Sequence, residues 1–274
     1  MNNGNPPVRE LFGFKRDPFV PDPATIWLDL SRQDAVEQLN GMIGRGGFAV
    51  LTGPAGCGKT LLLGHLCSQL SPTIHRVIYV ACSECGPADM LRLICTGLDL
   101  EPTLGRSRTT KRIADRVAEM KGTRPVLLVD EVQSLPQATL EAIRVICSHG
   151  LDGRSRFAVI MAGTDQFLGQ LTLRVCESLR QRVTVYAEVA PLSRTQAQDY
   201  LRHRFDTAGV SREIIGGEAF SLLFDATNGV PRRIDKLADE ALRLAAREGV
   251  AMVALAHVQR AARTVFGPRM EPQS

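Results

Sequence analysis

Gly53-Pro54-Ala55-Gly56-Cys57-Gly58-Lys59-Thr60 follows the apolar run Phe48-Ala49-Val50-Leu51 and precedes Leu61-Leu62-Leu63. This is a complete G-x-x-x-x-G-K-[ST] pattern in strand, loop, helix context. Its glycines let backbone N–H groups close around phosphate oxygens, Lys59 reaches the β/γ-phosphates, and the Thr60 hydroxyl holds Mg²⁺. The helix opening at Leu61 turns its positive dipole end toward the anion. ATP and Mg²⁺ are the expected ligands.

Outward from this loop, strands and helices alternate, which predicts a parallel sheet covered on both faces. The expected strands are Phe48–Leu51, Arg76–Cys82, Pro125–Val129, Phe157–Ala162 and Val183–Val189. Ser31 with Asp34 reads as a capping box opening a helix whose apolar positions are Leu30, Ala35, Leu39 and Met42. Glu101–Arg108 reads as a loop before a helix over Thr109–Met120. Beyond Pro191 four helical patterns follow without strands, opened by a Ser193/Gln196 capping box. The layout expected is an N-terminal arm over 1–30, an α/β nucleotide-binding domain over 31–190, a small all-helical lid over 191–268, and a tail over 269–274. Phe12, Phe14 and Phe19 lie in a proline-bounded arm; the rings either plug a core edge or line the adenine side of the pocket.

The strand Val126-Leu127-Leu128-Val129 runs into Asp130-Glu131. Asp130 is placed to hold Mg²⁺ together with Thr60, and Glu131 to orient and deprotonate a water, so the expected reaction is hydrolysis.

The 274 residues, 44% hydrophobic and 23% charged, have the composition of a soluble globular protein. No run reaches the length of a membrane span, and the polar start is no secretory signal, so a cytoplasmic location without membrane insertion is expected. Seven cysteines suit reduced thiols. Cys82-Ser-Glu-Cys85 has metal-ligand spacing but lacks a second ligand pair. A net charge of +4 proves no nucleic-acid partner by itself. Its distribution says more: Arg106, Arg108, Lys111, Arg112 and Arg116 cluster on one segment, either as a solvated helix face balanced by Asp115 and Glu119 or as a phosphate-tracking patch.

The P-loop, the hhhhDE strand, Thr164 after the next strand, Leu179-Arg-Gln-Arg-Val183 before the last, and Gly229-Val-Pro-Arg232 occur in the order of an AAA+ ATPase, which the chain resembles. The resemblance implies that Thr164 is the sensor-one polar residue, where the family more often has Asn. It implies that Arg182, with Arg180 its near competitor, is an arginine finger reaching a neighbouring subunit's nucleotide. Arg232 is implied as the sensor-two arginine of its own subunit. A ring or filament of identical subunits follows from a finger acting in trans.

Phe12-Gly-Phe-Lys-Arg-Asp-Pro-Phe19, Pro21-Asp-Pro23, Gly46-Gly-Phe48 and Asp130-Glu-Val-Gln133 are similar to the ExeA-type ATPases of the general secretion pathway A family. In secretory form that family continues into a membrane segment and a peptidoglycan-binding part, whereas Ser274 is the last residue here. The length, the layout and Ala162-Gly-Thr-Asp165 are also similar to transposition helper ATPases of the TnsC, TniB and MuB kind. That resemblance implies an ATP-dependent oligomer on duplex DNA that presents a target to a transposase; the alternative implied is secretion or envelope-complex assembly without DNA.

Overall fold

The computed structural model describes residues 8–81, 85–120, 122–147 and 155–267. The expected tail over 269–274, the first seven residues and Cys82 of the CxxC lie outside them. In chain order the elements are α1 (Val8–Phe12), α2 (Leu30–Arg45), β1 (Gly47–Thr52), α3 (Lys59–Gln69), β2 (His75–Ala81), α4 (Pro87–Gly97), α5 (Arg106–Glu119), β3 (Arg124–Asp130) and α6 (Gln137–Cys147). There follow β4 (Ala158–Ala162), α7 (Asp165–Thr172), α8 (Glu177–Arg180), β5 (Val183–Glu188), α9 (Arg194–Thr207), α10 (Gly217–Thr227), α11 (Pro231–Arg247) and α12 (Leu255–Phe266).

The chain divides into two compact units, one of residues 30–55 and 59–189, the other of 1–29, 56–58 and 190–274. The first is a five-stranded sheet in the order β2-β3-β4-β1-β5, with every pairing parallel. The three inner strands are apolar runs buried at every position from Val126, Ala158 and Phe48 onward, because helices cover both faces. The edge strands are different. β2, expected to be buried, is half exposed, with Tyr79 at 49% exposure, since one of its sides lacks a strand partner.

Two helix boundaries depart from expectation. α2 begins at Leu30, so Ser31 lies inside its first turn and not ahead of it. Leu30 is 78% exposed while Ala35, Leu39 and Met42 are buried. Five residues at 100° each leave Leu30 about 140° from Ala35 around the helix, off the buried face. Arg106 and Arg108 belong to α5 and not to a loop. Helices α7 and α8, absent from the sequence reading, occupy the connection from β4 to β5.

In the second unit, α9 to α12 enclose a core around Leu223, Ile234, Leu237, Leu242 and Val258. The Ser193/Gln196 capping box is present, each side chain bonded to the other's backbone N–H. Gly229, at φ +70, passes so close to Leu192 that a Cβ would lie 2.0 Å from its carbonyl oxygen. Val258 and Ala261 of α12 are buried in this core.

The aromatic arm joins the same core. Phe12 and Phe14 are buried, their rings 5.9 Å apart, and Phe14 lies 5.7 Å from Phe205 of α9. Of the two roles open to these rings, they take the core-filling one. Arg204 fastens the arm further, donating to the Phe19 and Val20 carbonyls and to Asp235. Phe12→Ala is expected to lower the unfolding free energy by roughly 3–5 kcal/mol, the range for emptying a buried aromatic site. Urea denaturation followed by circular dichroism checks this.

Candidate nucleotide site

Glycine conformations shape the loop after β1. Gly53 has φ +144, and a Cβ there would lie 2.1 Å from the Val189 carbonyl oxygen, so only glycine lets the loop leave the sheet beside the end of β5. Gly56 and Gly58 also adopt positive φ, at +86° and +98°. Lys59 opens α3 and is 6% exposed. Its ammonium donates to the Gly53 carbonyl at 2.8 Å and the Pro54 carbonyl at 3.1 Å, and no carboxylate pairs with it among the described residues. A buried cation satisfied only by neutral carbonyls carries an uncompensated charge, which is costly unless an anion supplies the balance. At a helix N-terminus the same position favours phosphate.

Thr60, one residue into α3, donates its hydroxyl to Asp130 Oδ2 at 2.6 Å. Asp130 ends β3 and is 2% exposed. Its other oxygen, Oδ1, accepts the Glu131 backbone N–H at 2.9 Å. A hydroxyl and a carboxylate in contact form an all-oxygen pair of the kind Mg²⁺ takes, so the residues fit that ion. Cys85 of the CxxC is a buried core residue, and its partner Cys82 lies outside the described residues.

Tyr79 was missed by sequence reading. Its hydroxyl donates to Asp130 Oδ2 at 3.1 Å. Desolvation first, then the Asp130 carboxylate, push the phenol up to about 12, so it stays a donor throughout the neutral range. The register explains the meeting: Tyr79 pairs with Leu128, two residues before Asp130, and the long side chain spans the offset. No local pattern announces it.

Glu131 takes the left-handed conformation, φ 52 and ψ 38, ahead of a 3-10 turn over Val132–Ser134. For a residue with a long side chain this stores roughly 1–3 kcal/mol of strain, a feature concentrated at functional sites. Thr164 follows β4 at the N-cap position of α7 without a side-chain cap bond, and the preceding Gly163 N–H donates to the Leu51 carbonyl of β1 at 3.0 Å. The Thr164 hydroxyl oxygen is buried and has no hydrogen-bond partner among the described residues. Gln133 links it to Glu131: the Gln133 amide contacts Glu131 Oε2 at 2.5 Å and the Thr164 backbone N–H at 3.1 Å. All these groups stand at the carboxyl ends of the strands, where open α/β sheets present ligand sites.

The arginines fall in two places. Arg182 is exposed between α8 and β5, and Arg180 is the last residue of α8, also exposed. Hydrogen bonding to Arg144, then Arg144 and Arg182 as neighbouring charges, hold the Glu141 carboxyl below its usual range. Within the helical unit, which includes residues 56–58, the Arg232 backbone N–H donates to the Gly56 carbonyl at 3.2 Å. A Cβ on Gly56 would lie 3.0 Å from the Arg232 Cβ. On α5, Thr109, Ile113 and Val117 face the core, while Arg106, Arg108, Lys111 and Arg112 are exposed with no ion pair among the described residues. Arg116 is half-buried and donates to the Leu98 carbonyl at 3.4 Å, apart from that exposed group.

Residues 43–171 match a family model described as an AAA domain. The chain is 30% identical over 269 residues to a general secretion pathway protein A of Aeromonas hydrophila, a match covering 96% of this chain and 49% of that protein. It thus spans about half the length of the curated relative it matches. Among solved structures it is similar to Cdc6p from Pyrobaculum aerophilum, with a TM-score of 0.73 and 19% identity over 90% of this chain and 70% of that one. It is similar also to the Aeropyrum pernix ORC1 protein in complex with DNA (TM-score 0.69, 20% identity, 92% and 70% covered). The Thermotoga maritima RuvB Holliday junction branch migration motor aligns at a TM-score of 0.59 and 16% identity, covering 91% and 74%. At such identities these structures speak for the fold alone. Among the described residues no helix is long and apolar enough to cross a membrane. Residues 43–171, which carry the P-loop and the Thr60–Asp130 contact, are thus similar to an AAA domain.

Proposed function

We propose that the chain is an ATP hydrolase that works as an oligomer and controls an assembly on duplex DNA. The observation that carries the hydrolase reading is the buried Lys59 ammonium without a counter-charge, one residue from the Thr60–Asp130 contact. Lys59 and the loop N–H groups bind the phosphates; Thr60 and Asp130 would hold Mg²⁺, which would supply positive charge against the phosphates. Glu131 takes the proton of the attacking water, and the unpartnered Thr164 hydroxyl steadies the water or the γ-phosphate. Arg232 serves the nucleotide of its own subunit, and Arg182 that of a neighbour.

The four unpaired cations on the outer face of α5 support DNA as the load, since an oligomer repeats them along a phosphate backbone. A target-presenting role beside a transposase fits such an assembly. A second reading has its own support: the relative at 30% identity is a general secretion pathway protein, and partners in secretion or envelope-complex assembly fit that likeness. Retention on duplex DNA with a non-hydrolysable ATP analogue separates the two. Nucleotide-dependent retention is expected at low salt and lost at high salt. Replacing Arg106, Arg108, Lys111 and Arg112 together by alanine is expected to flatten the log–log salt slope by about 3 to 4. No nucleotide-dependent retention at low salt sinks the DNA reading in favour of the secretion one.

A further inference from the structure

Gln133 is held at three points. Its Nε2 donates to Glu131 Oε2 at 2.5 Å, its Oε1 accepts the Thr164 backbone N–H at 3.1 Å, and its backbone carbonyl accepts from Gln170 Nε2 of α7 at 3.0 Å. Gly163 makes room for it: a Cβ there would lie 2.7 Å from Gln133 Oε1 and 2.8 Å from Val132 Cγ1. Val132, next to it, is fully buried and anchors the turn. A glutamine following a strand is ordinarily a solvated loop residue. Here both faces of its amide are committed, the donor to a carboxylate and the acceptor to an N–H, which is the one polarity that satisfies both partners.

We propose that Gln133 is a positioning residue for hydrolysis, its amide holding the Glu131 carboxylate at a fixed offset from Thr164 so that both address the same water. The inference rests on Glu131 being the base. Orientation of a reacting group is worth large rate factors, and about 1 Å of misplacement costs up to ~100-fold. An amide bridging the ends of β3 and β4 supplies that orientation more firmly than a side chain swinging free beyond a strained backbone.

The test uses the full chain with Gln133→Glu, Gln133→Ala and, in parallel, Glu131→Gln. Gln133→Glu keeps the shape and the acceptor toward Thr164 but sets a second carboxylate against Glu131. Both Gln133 variants are expected to lose about 10- to 100-fold in kcat, with KM and the affinity for a fluorescent ATP analogue unchanged within about twofold. Gln133→Glu is expected to be at least as impaired as Gln133→Ala, and thermal melting is expected to match the parent. A role confined to packing predicts the opposite order, because the isosteric change would restore activity. Gln133→Glu turning over at the parental rate while Glu131→Gln does not overturns the inference and leaves the base assignment standing. Parental turnover by Glu131→Gln removes the base assignment and this inference with it. A loss confined to KM or analogue affinity overturns the positioning role as well.

Discussion

Glu131→Gln is expected to lower kcat for ATP hydrolysis by about 10²- to 10⁴-fold, the range for losing a positioned general base. Nucleotide binding is expected to survive. The amide has the shape of the carboxylate, the backbone at φ 52 is no harder for glutamine than for glutamate, and an amide oxygen still accepts from Gln133 Nε2. Lys59, Thr60 and Asp130 are untouched, and the Glu131 backbone N–H still donates to Asp130 Oδ1. What is lost is the proton acceptor alone, so the variant should retain ATP and stay in the ATP-bound assembly. Phosphate release in the steady state and retention of radiolabelled ATP on a desalting column measure the two halves. Parental turnover would show that another group activates the water. Lys59→Ala should do the reverse and empty the site, since it removes the buried charge that the phosphates balance.

The P-loop and the Asp130–Glu131 pair are legible because each is contiguous: the spacing is local, and the buried strands before them are unbroken apolar runs. The features that escaped depend on pairing between distant segments. Tyr79 reaches Asp130 only through the β2–β3 register, and nothing near residue 79 states that register. The half exposure of β2 follows from its edge position, which strand order sets and composition does not. Gln133 was visible only as a letter in a family-like quartet; its importance comes from an N–H thirty-one residues on. Helix α7 hid because Phe167 and Leu171 are its only buried side chains, one turn apart, too short a stripe to read as periodic. The arm rings could not be assigned from sequence because any enclosed surface suits three phenylalanines, and Phe205 of α9 supplied it.

Arg182→Ala is expected to cost still more, about 10³- to 10⁵-fold in kcat, if Arg182 neutralises the spreading charge of phosphoryl transfer as an arginine finger does. Its place supports delivery to a neighbour. Arg182 is exposed beyond α8, on the segment that leads into edge strand β5, and the nearby Glu141 is already engaged by Arg144. Arg180→Ala is the control, two residues earlier at the end of the same short helix, and should leave most of the rate. A finger acting in trans makes a further demand. Mixing Arg182→Ala subunits with Glu131→Gln subunits should restore hydrolysis, because each intact site of the first then receives a guanidinium from the second. Neither variant alone supplies that pairing. The regained rate should rise with total protein concentration, as a site shared between subunits requires. If Arg182→Ala hydrolyses ATP as fast as the parent at every concentration, or if mixing restores nothing while each variant still assembles, Arg182 is not the guanidinium that completes a neighbour's site.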